Sequence, residues 1–202
     1  VMDADGRRLR PVTDGEVDSG PTWSPQDDAV AYTSRARRRT GSSIHAVELA
    51  GGKQVRRLTE RVADHWAYEA NWRASGHAIV YSGAKGGSGL NLYVVDGSGS
   101  HLAQLTAGDP HDMAPAWHPH GRAVAFTRST GRFRGVVDIH AIDADGSNER
   151  RVTAHPAKDS SPSWSPDGPR ILFTSDRDGA PGLFIRDADG GRVRKVTDER
   201  FS

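Results

Sequence analysis

The chain contains no cysteine, which excludes disulfide bridges, cysteine zinc sites and thiol nucleophiles. It lacks an excess of either charge: 27 Lys and Arg stand against 26 Asp and Glu, a formal net charge of +1. That is not the strongly basic balance of a dedicated nucleic-acid binder, so no nucleic-acid partner is expected. Apolar residues make up only 35% of the chain, and mean hydropathy is −0.64. No stretch approaches the roughly 20 apolar residues of a membrane-spanning helix, so no membrane insertion is expected. No stretch has the charged-then-apolar pattern of a secretion signal, and no segment shows a sustained helical period of 3.6. What is plentiful is glycine, at 23, with 11 prolines, five Trp, four Tyr and five Phe. That mixture points to many turns around a real core, and a chain of 202 residues is long enough to bury one.

The aromatic residues are not scattered. Trp23, Trp72, Trp117 and Trp164 recur at spacings of 49, 45 and 47 residues. A branched apolar residue follows each Trp by seven positions (Val30, Ile79, Val124, Ile171) and an aromatic by nine (Tyr32, Tyr81, Phe126, Phe173). An apolar residue followed by Thr closes each period, at Thr13, Thr59, Thr106, Thr153 and Thr197. Such agreement defines a four-fold repeat of about 46 residues. Each unit reads as four short strands. The Trp segment begins the first, a Pro/Gly-rich turn follows, and an alternating second strand such as "AVAYTS" comes next. A third strand then reverses through Gly-rich or Asp-Gly turns into a fourth. Four-stranded units of this period are β-propeller blades, so an all-β propeller of four-stranded antiparallel blades is expected. The boundaries fall at 14–59, 60–106, 107–153 and 154–197 within a single domain over 1–202. Residues 1–13 match the outer two strands of a further half blade. This count predicts either a portion of a longer propeller or an open arc that self-associates through its ends.

The pattern Asp-x-x-Pro-x-Trp-Ser-Pro-Asp-Gly, with a later Asp-Gly hairpin and a closing Leu-Thr, resembles the WD-like repeats of the TolB-like β-propeller family. The fourth repeat matches most fully, at Asp159, Pro162, Trp164, Ser165, Pro166, Asp167 and Gly168. The first keeps Asp18, Pro21, Trp23, Ser24 and Pro25, with Asp28 where Gly is expected; the third keeps Asp112, Pro115, Trp117, Pro119 and Gly121; the second keeps only Trp72 and Gly76. The resemblance implies a non-catalytic scaffold that binds a protein or peptide, in a bacterial periplasmic or cell-envelope location. The alternative is a carbohydrate-binding or polysaccharide-degrading propeller, since some related propellers resemble oligogalacturonate lyases that use His and Gln clusters with a metal.

Repetition separates blade residues from site residues. The four repeat tryptophans are expected in equivalent, largely buried positions. Asp18, Asp112 and Asp159, each five residues before a Trp, read as turn or inter-blade hydrogen-bonding groups. The "DADG" stretches at Asp3, Asp143 and Asp187 lack the distal ligands of a calcium loop and read as hairpin turns. Basic residues on the fourth strands suit solvated blade edges. No cofactor and no metal site is expected; His111, Asp112, His118 and His120 lie at two ends of one strand, which suits a single ion poorly. No nucleophile elbow, zinc-protease helix or phosphate loop is present, so no catalytic residue is assigned. The irregular features are more telling. From Thr to Trp the repeats take 10, 13, 11 and 11 residues, so the second has an insertion, "ADHWAYEANW". His65, Trp66, Tyr68 and Glu69 there suit sugar stacking or a protein hot spot. In a meander, inter-blade links share a face with the links between second and third strands. That face gathers the insertion, His111, Asp112, Arg132 and Arg134, and is the expected binding face, on which Trp66 should be more exposed than the repeat tryptophans.

Overall fold

The computed structural model describes residues 1–2, 5–13, 17–35, 41–49, 54–59, 65–85, 89–131 and 135–197. Sixteen strands form four separate four-stranded antiparallel sheets. The first blade is β1 (Val17–Trp23), β2 (Ala29–Arg35), β3 (Ser43–Glu48) and β4 (Val55–Arg57). The second is β5 (His65–Trp72), β6 (Ala78–Lys85), β7 (Asn91–Asp96) and β8 (Leu102–Gln104). The third is β9 (His111–Trp117), β10 (Ala123–Ser129), β11 (Val137–Asp143) and β12 (Arg150–Arg151). The fourth is β13 (Asp159–Trp164), β14 (Arg170–Ser175), β15 (Gly182–Asp187) and β16 (Gly190–Lys195). Each blade pairs in chain order, and only successive blades pack extensively on one another. Among the described residues there is no helix, and so none long and apolar enough to cross a membrane. The Trp segment differs in one detail from its reading in sequence: the Trp ends the innermost strand rather than beginning it.

The core lies between blades. Strand alternation sends Ala31, Ile44 and Ala46 of blade 1 against Ile79, Tyr81 and Val95 of blade 2. On the other side of blade 2, Val80 and Leu92 meet Trp117, Val124 and Phe126 of blade 3. Ala125, Ile139 and Ala141 of blade 3 then meet Ile171, Phe173 and Phe184 of blade 4. Each interior sheet is buried on both faces, which explains why the second strands are so evenly apolar.

The markers of the repeat each have a mechanical role. The closing Thr hydroxyl accepts the amide near the start of the third strand: Ile44 to Thr59 at 3.0 Å, Leu92 to Thr106 at 2.9 Å, Ile139 to Thr153 at 2.9 Å and Leu183 to Thr197 at 3.1 Å. This satisfies a backbone donor at the sheet margin in every blade. Four residues past each Trp the chain takes positive φ, at Asp27 (56°), Gly76 (77°), Gly121 (65°) and Gly168 (91°). The glycine position of the first repeat is therefore occupied by Asp27, not Asp28, and Asp tolerates the left-handed region better than most side chains.

Two expectations are corrected. Among the four repeat tryptophans, Trp117 is 7% exposed, Trp72 and Trp164 are half-buried, and Trp23 is 47% exposed. Each of the later three packs toward the preceding blade, and no blade precedes Trp23 among the described residues. The N-terminal segment forms no regular strand in its described residues. Its described residues include a reciprocal pair in which Val1 and Arg10 exchange backbone hydrogen bonds of 2.9 Å each, and an Arg7 amide that donates to Asp5 at 3.0 Å. Val12 nevertheless packs on Val30, Tyr32 and Val47, covering the face of blade 1 that would otherwise be open.

Candidate functional site

Every innermost strand carries a bulge before its Trp, where the register against the second strand shifts. The bulged residue takes positive φ in all four blades: Gly20 (57°), Glu69 (54°), Ala114 (48°) and Ser161 (54°). The bulge turns a backbone amide toward the preceding blade. Ser161 N–H donates to Thr127 Oγ1 at 3.0 Å, and Ala114 N–H donates to Glu69 Oε2 at 2.6 Å. Glu69, one of the residues singled out in the insertion, is thus an exposed side chain that ties blade 2 to blade 3.

Trp66 and Tyr68 point the same way along β5 and stack at 5.9 Å with an interplanar angle of 12°. Arg35, at the end of β2, lies over the Trp66 ring at 5.1 Å. Ser42 anchors the strand beneath them: its Oγ accepts from Ala67 N–H at 3.0 Å and donates to Ala67 O at 2.8 Å. Burial raises the Tyr68 phenol above its ordinary pKa, against a Ser42 hydrogen bond and the Arg35 charge, which lower it. Both rings are half-buried, so Trp66 is less exposed than Trp23, contrary to the expected contrast. His65 opens β5 opposite Lys85 in the backbone register, and its side chain lies outside the described residues. Arg132 and Arg134 also lie outside them.

The acids of the repeat diverge. Asp112, 1% exposed, is held by a fork from Arg128, with Nε at 2.7 Å and Nη2 at 2.8 Å. Arg128 also lies over Phe126 and reaches Glu149, which His140 contacts at 3.2 Å. Asp159 is fully buried and accepts from one Arg177 nitrogen through both oxygens at 3.0 Å, while that guanidinium covers Phe184 at 5.0 Å. The Asp18 carboxylate oxygens are buried with no hydrogen-bond partner among the described residues. These arginines sit eleven and thirteen residues after their Trp, so aligning the repeats does not reveal them. Arg35 lies on the link face that the sequence marks for binding, whereas Ser42, Arg128 and Arg177 gain their roles only once strands and blades are brought together.

His111 stands at the start of β9, with Nδ1 3.4 Å from the Leu90 amide, whereas His118 and His120 lie in the turn beyond its end. No group of three or more His, Asp or Glu side chains able to hold a metal occurs among the described residues. The start of β5, His111 and Asp112 thus share the face of inter-blade links, and the carboxylates of Asp112 and Asp159, expected to serve turns or blade junctions, are each committed to a half-buried arginine of their own blade.

Four meandering sheets arrayed with their innermost strands side by side define an arc of β-propeller blades. Residues 109–201, which span the third and fourth blades, match the family described as the TolB beta propeller domain. The chain is similar to a protein described as TolB from Agrobacterium tumefaciens, with 23% identity, coverage of 98% of this chain and 68% of that one, and a TM-score of 0.79. For TolB from Acinetobacter baumannii the values are 21%, 97%, 47% and 0.74. For an oligogalacturonate lyase in complex with manganese they are 21%, 92%, 55% and 0.71. The chain therefore shares the propeller fold over all four blades, and the family match covers the last two. It spans only about half of the Acinetobacter protein and of the lyase.

Proposed function

We propose that the protein is a non-catalytic scaffold that binds a protein or peptide partner on the face of inter-blade links, in a bacterial envelope setting. The observation that carries this is the Trp66–Tyr68 stack under Arg35, built on the one inserted segment of the repeat. Aromatic rings backed by a guanidinium provide large contact area at low entropic cost, the chemistry of interface anchors. The neighbouring acids support binding over chemistry, because Asp112 and Asp159 are locked in ion pairs and Glu69 in a backbone contact. The nearly coplanar ring pair also fits a sugar face, which keeps an acidic-oligosaccharide ligand as the second reading. Self-association through the arc's two end blades is part of the same proposal and is read by light scattering.

The test is selection of peptides from a random displayed library, followed by titration against wild type and Trp66→Ala/Tyr68→Ala. Selected peptides should lose at least tenfold in affinity for the double variant. Peptides indifferent to both substitutions would sink the assignment of this patch. A rise in melting temperature with galacturonate oligomers, and none with peptides, would favour the second reading.

A further inference from the structure

The opposite face, made of the hairpin turns, holds a regularity that the repeat creates and then breaks. The residue just after Trp72, and the one just after Trp117, lean over the next blade. Arg73 of blade 2 lies over Trp117 of blade 3, guanidinium to ring centroid 5.1 Å. His118 of blade 3 meets Trp164 of blade 4 edge-on at 4.7 Å. At the junction of blades 1 and 2 the corresponding residue is Ser24, whose hydroxyl turns back to its own hairpin, donating to Asp28 at 2.6 Å and accepting from Ala29 N–H at 3.0 Å. Among the described residues, the position after the Trp thus fails to reach the next Trp at this junction and reaches it at the other two.

A groove of about 610 Å³ occupies that place, with Trp72 as one wall and Gln26, Asp28, Glu48 and Asp96 around it. Gln26 lies against Gly76, as Arg73 does against Gly121 and His118 against Gly168. It is neutral, however, and leaves the Trp72 ring lining the groove. Three carboxylates face one permanent cation, Arg56, which pairs loosely with Glu48 at 3.8 Å, and the ring of His77. Hydrogen bonds from Ser98 and His101 hold the Asp96 carboxyl well below the usual range, so its charge persists at any physiological pH. The junction of blades 3 and 4 has a groove of about 520 Å³, but its Trp164 is already covered by His118, and its three carboxylates, of Asp143, Asp187 and Asp189, face two guanidiniums, Arg122 and Arg150.

We propose that the groove between blades 1 and 2 receives an arginine side chain from a polypeptide partner, laid over Trp72 as Arg73 is laid over Trp117. A guanidinium fits better than an ammonium because it is planar, stacks on indole and presents a fork of donors to carboxylates. This site lies on the face opposite the Trp66 stack and does not depend on what binds there.

The experiment follows the Trp indole N–H resonances of the protein on titration with acetyl-Gly-Arg-Gly-amide and with its lysine and citrulline counterparts. The Trp72 signal is identified by Trp72→Phe. The arginine peptide should shift Trp72 saturably, the lysine peptide should bind several-fold more weakly, and the uncharged citrulline peptide should not saturate. Ser24→Arg should fill the groove from within and abolish the shift, and Glu48→Lys should weaken binding roughly tenfold, about 1.4 kcal/mol. The inference is overturned if the arginine peptide leaves Trp72 unmoved, if citrulline binds equally well, or if spermidine or the lysine peptide outcompetes arginine. It is also overturned if folded Glu48→Lys binds like wild type, a result that stands even should Ser24→Arg fail to fold.

Discussion

Replacing Trp117 by alanine removes the side chain that joins blades 2 and 3. The indole packs with Val80, Leu92, Val124, Phe126 and Ile142 and is covered by Arg73. An indole buries about 200 Å² on folding, and at about 25 cal/mol per Å² that is about 5 kcal/mol for a side chain as enclosed as this one. The cavity left behind and the lost Arg73 stack add to this, while partial collapse subtracts, so a cost of roughly 3–5 kcal/mol is expected. Trp23 occupies the same repeat position but is 47% exposed against 7% for Trp117, so Trp23→Ala should cost only about half as much. With a urea dependence of about 2 kcal/mol per molar, the midpoint should fall by about 2 M for Trp117→Ala and about 1 M for Trp23→Ala. Circular dichroism in urea on both variants measures the difference. Equal losses would refute the argument that the repeat Trp is stabilised by the blade before it.

Four further outcomes are expected. Asp159→Ala leaves Arg177, only 13% exposed, without its carboxylate and should cost roughly 3–5 kcal/mol, whereas pairing it with Arg177→Met should recover most of that in a double-mutant cycle. Thr106→Val keeps the shape but removes the acceptor for the Leu92 amide, which should cost about 1–3 kcal/mol and speed hydrogen exchange at that amide. Asp27→Gly places the permissive residue at a φ of 56° and should raise stability by about 0.5–1 kcal/mol in the same melts. Burial, with nearby Arg122 and Arg128 respectively, lowers the pKa of His118 and His140 in the folded state. Their neutral forms are favoured by folding, so this stability is complete above about pH 6.5 and is lost as pH falls toward the lowered folded values. Thermal melts across that window should show the loss, and His118→Ser, the residue found there in the first and fourth repeats, should reduce it.

The repeat was legible in the chain because it answers to local rules. Strand alternation requires apolar residues at every second position, tight turns require Gly or Asp at positive φ, and each blade needs its Thr to cap a third-strand amide. A period of about 46 residues bearing all of these marks has one architecture that buries the apolar faces. What the chain could not disclose is what happens between blades. Equivalent residues met unequal neighbours: Trp117 found an arginine, Trp164 a histidine, Trp72 a groove, and Trp23 solvent. Within their own blades, too, Asp112 and Asp159 found arginines at different repeat positions, while the Asp18 oxygens are buried without a described partner. Glu69, read as a recognition residue, also became an inter-blade tie because a bulge turned the Ala114 amide toward it. Sequence by itself determined the blade, whose bonds are local and repeated. Only the tertiary structure decided which copies of each repeated residue are spent on packing and which stay open to a partner, because that depends on the side chains the adjoining blade happens to bring.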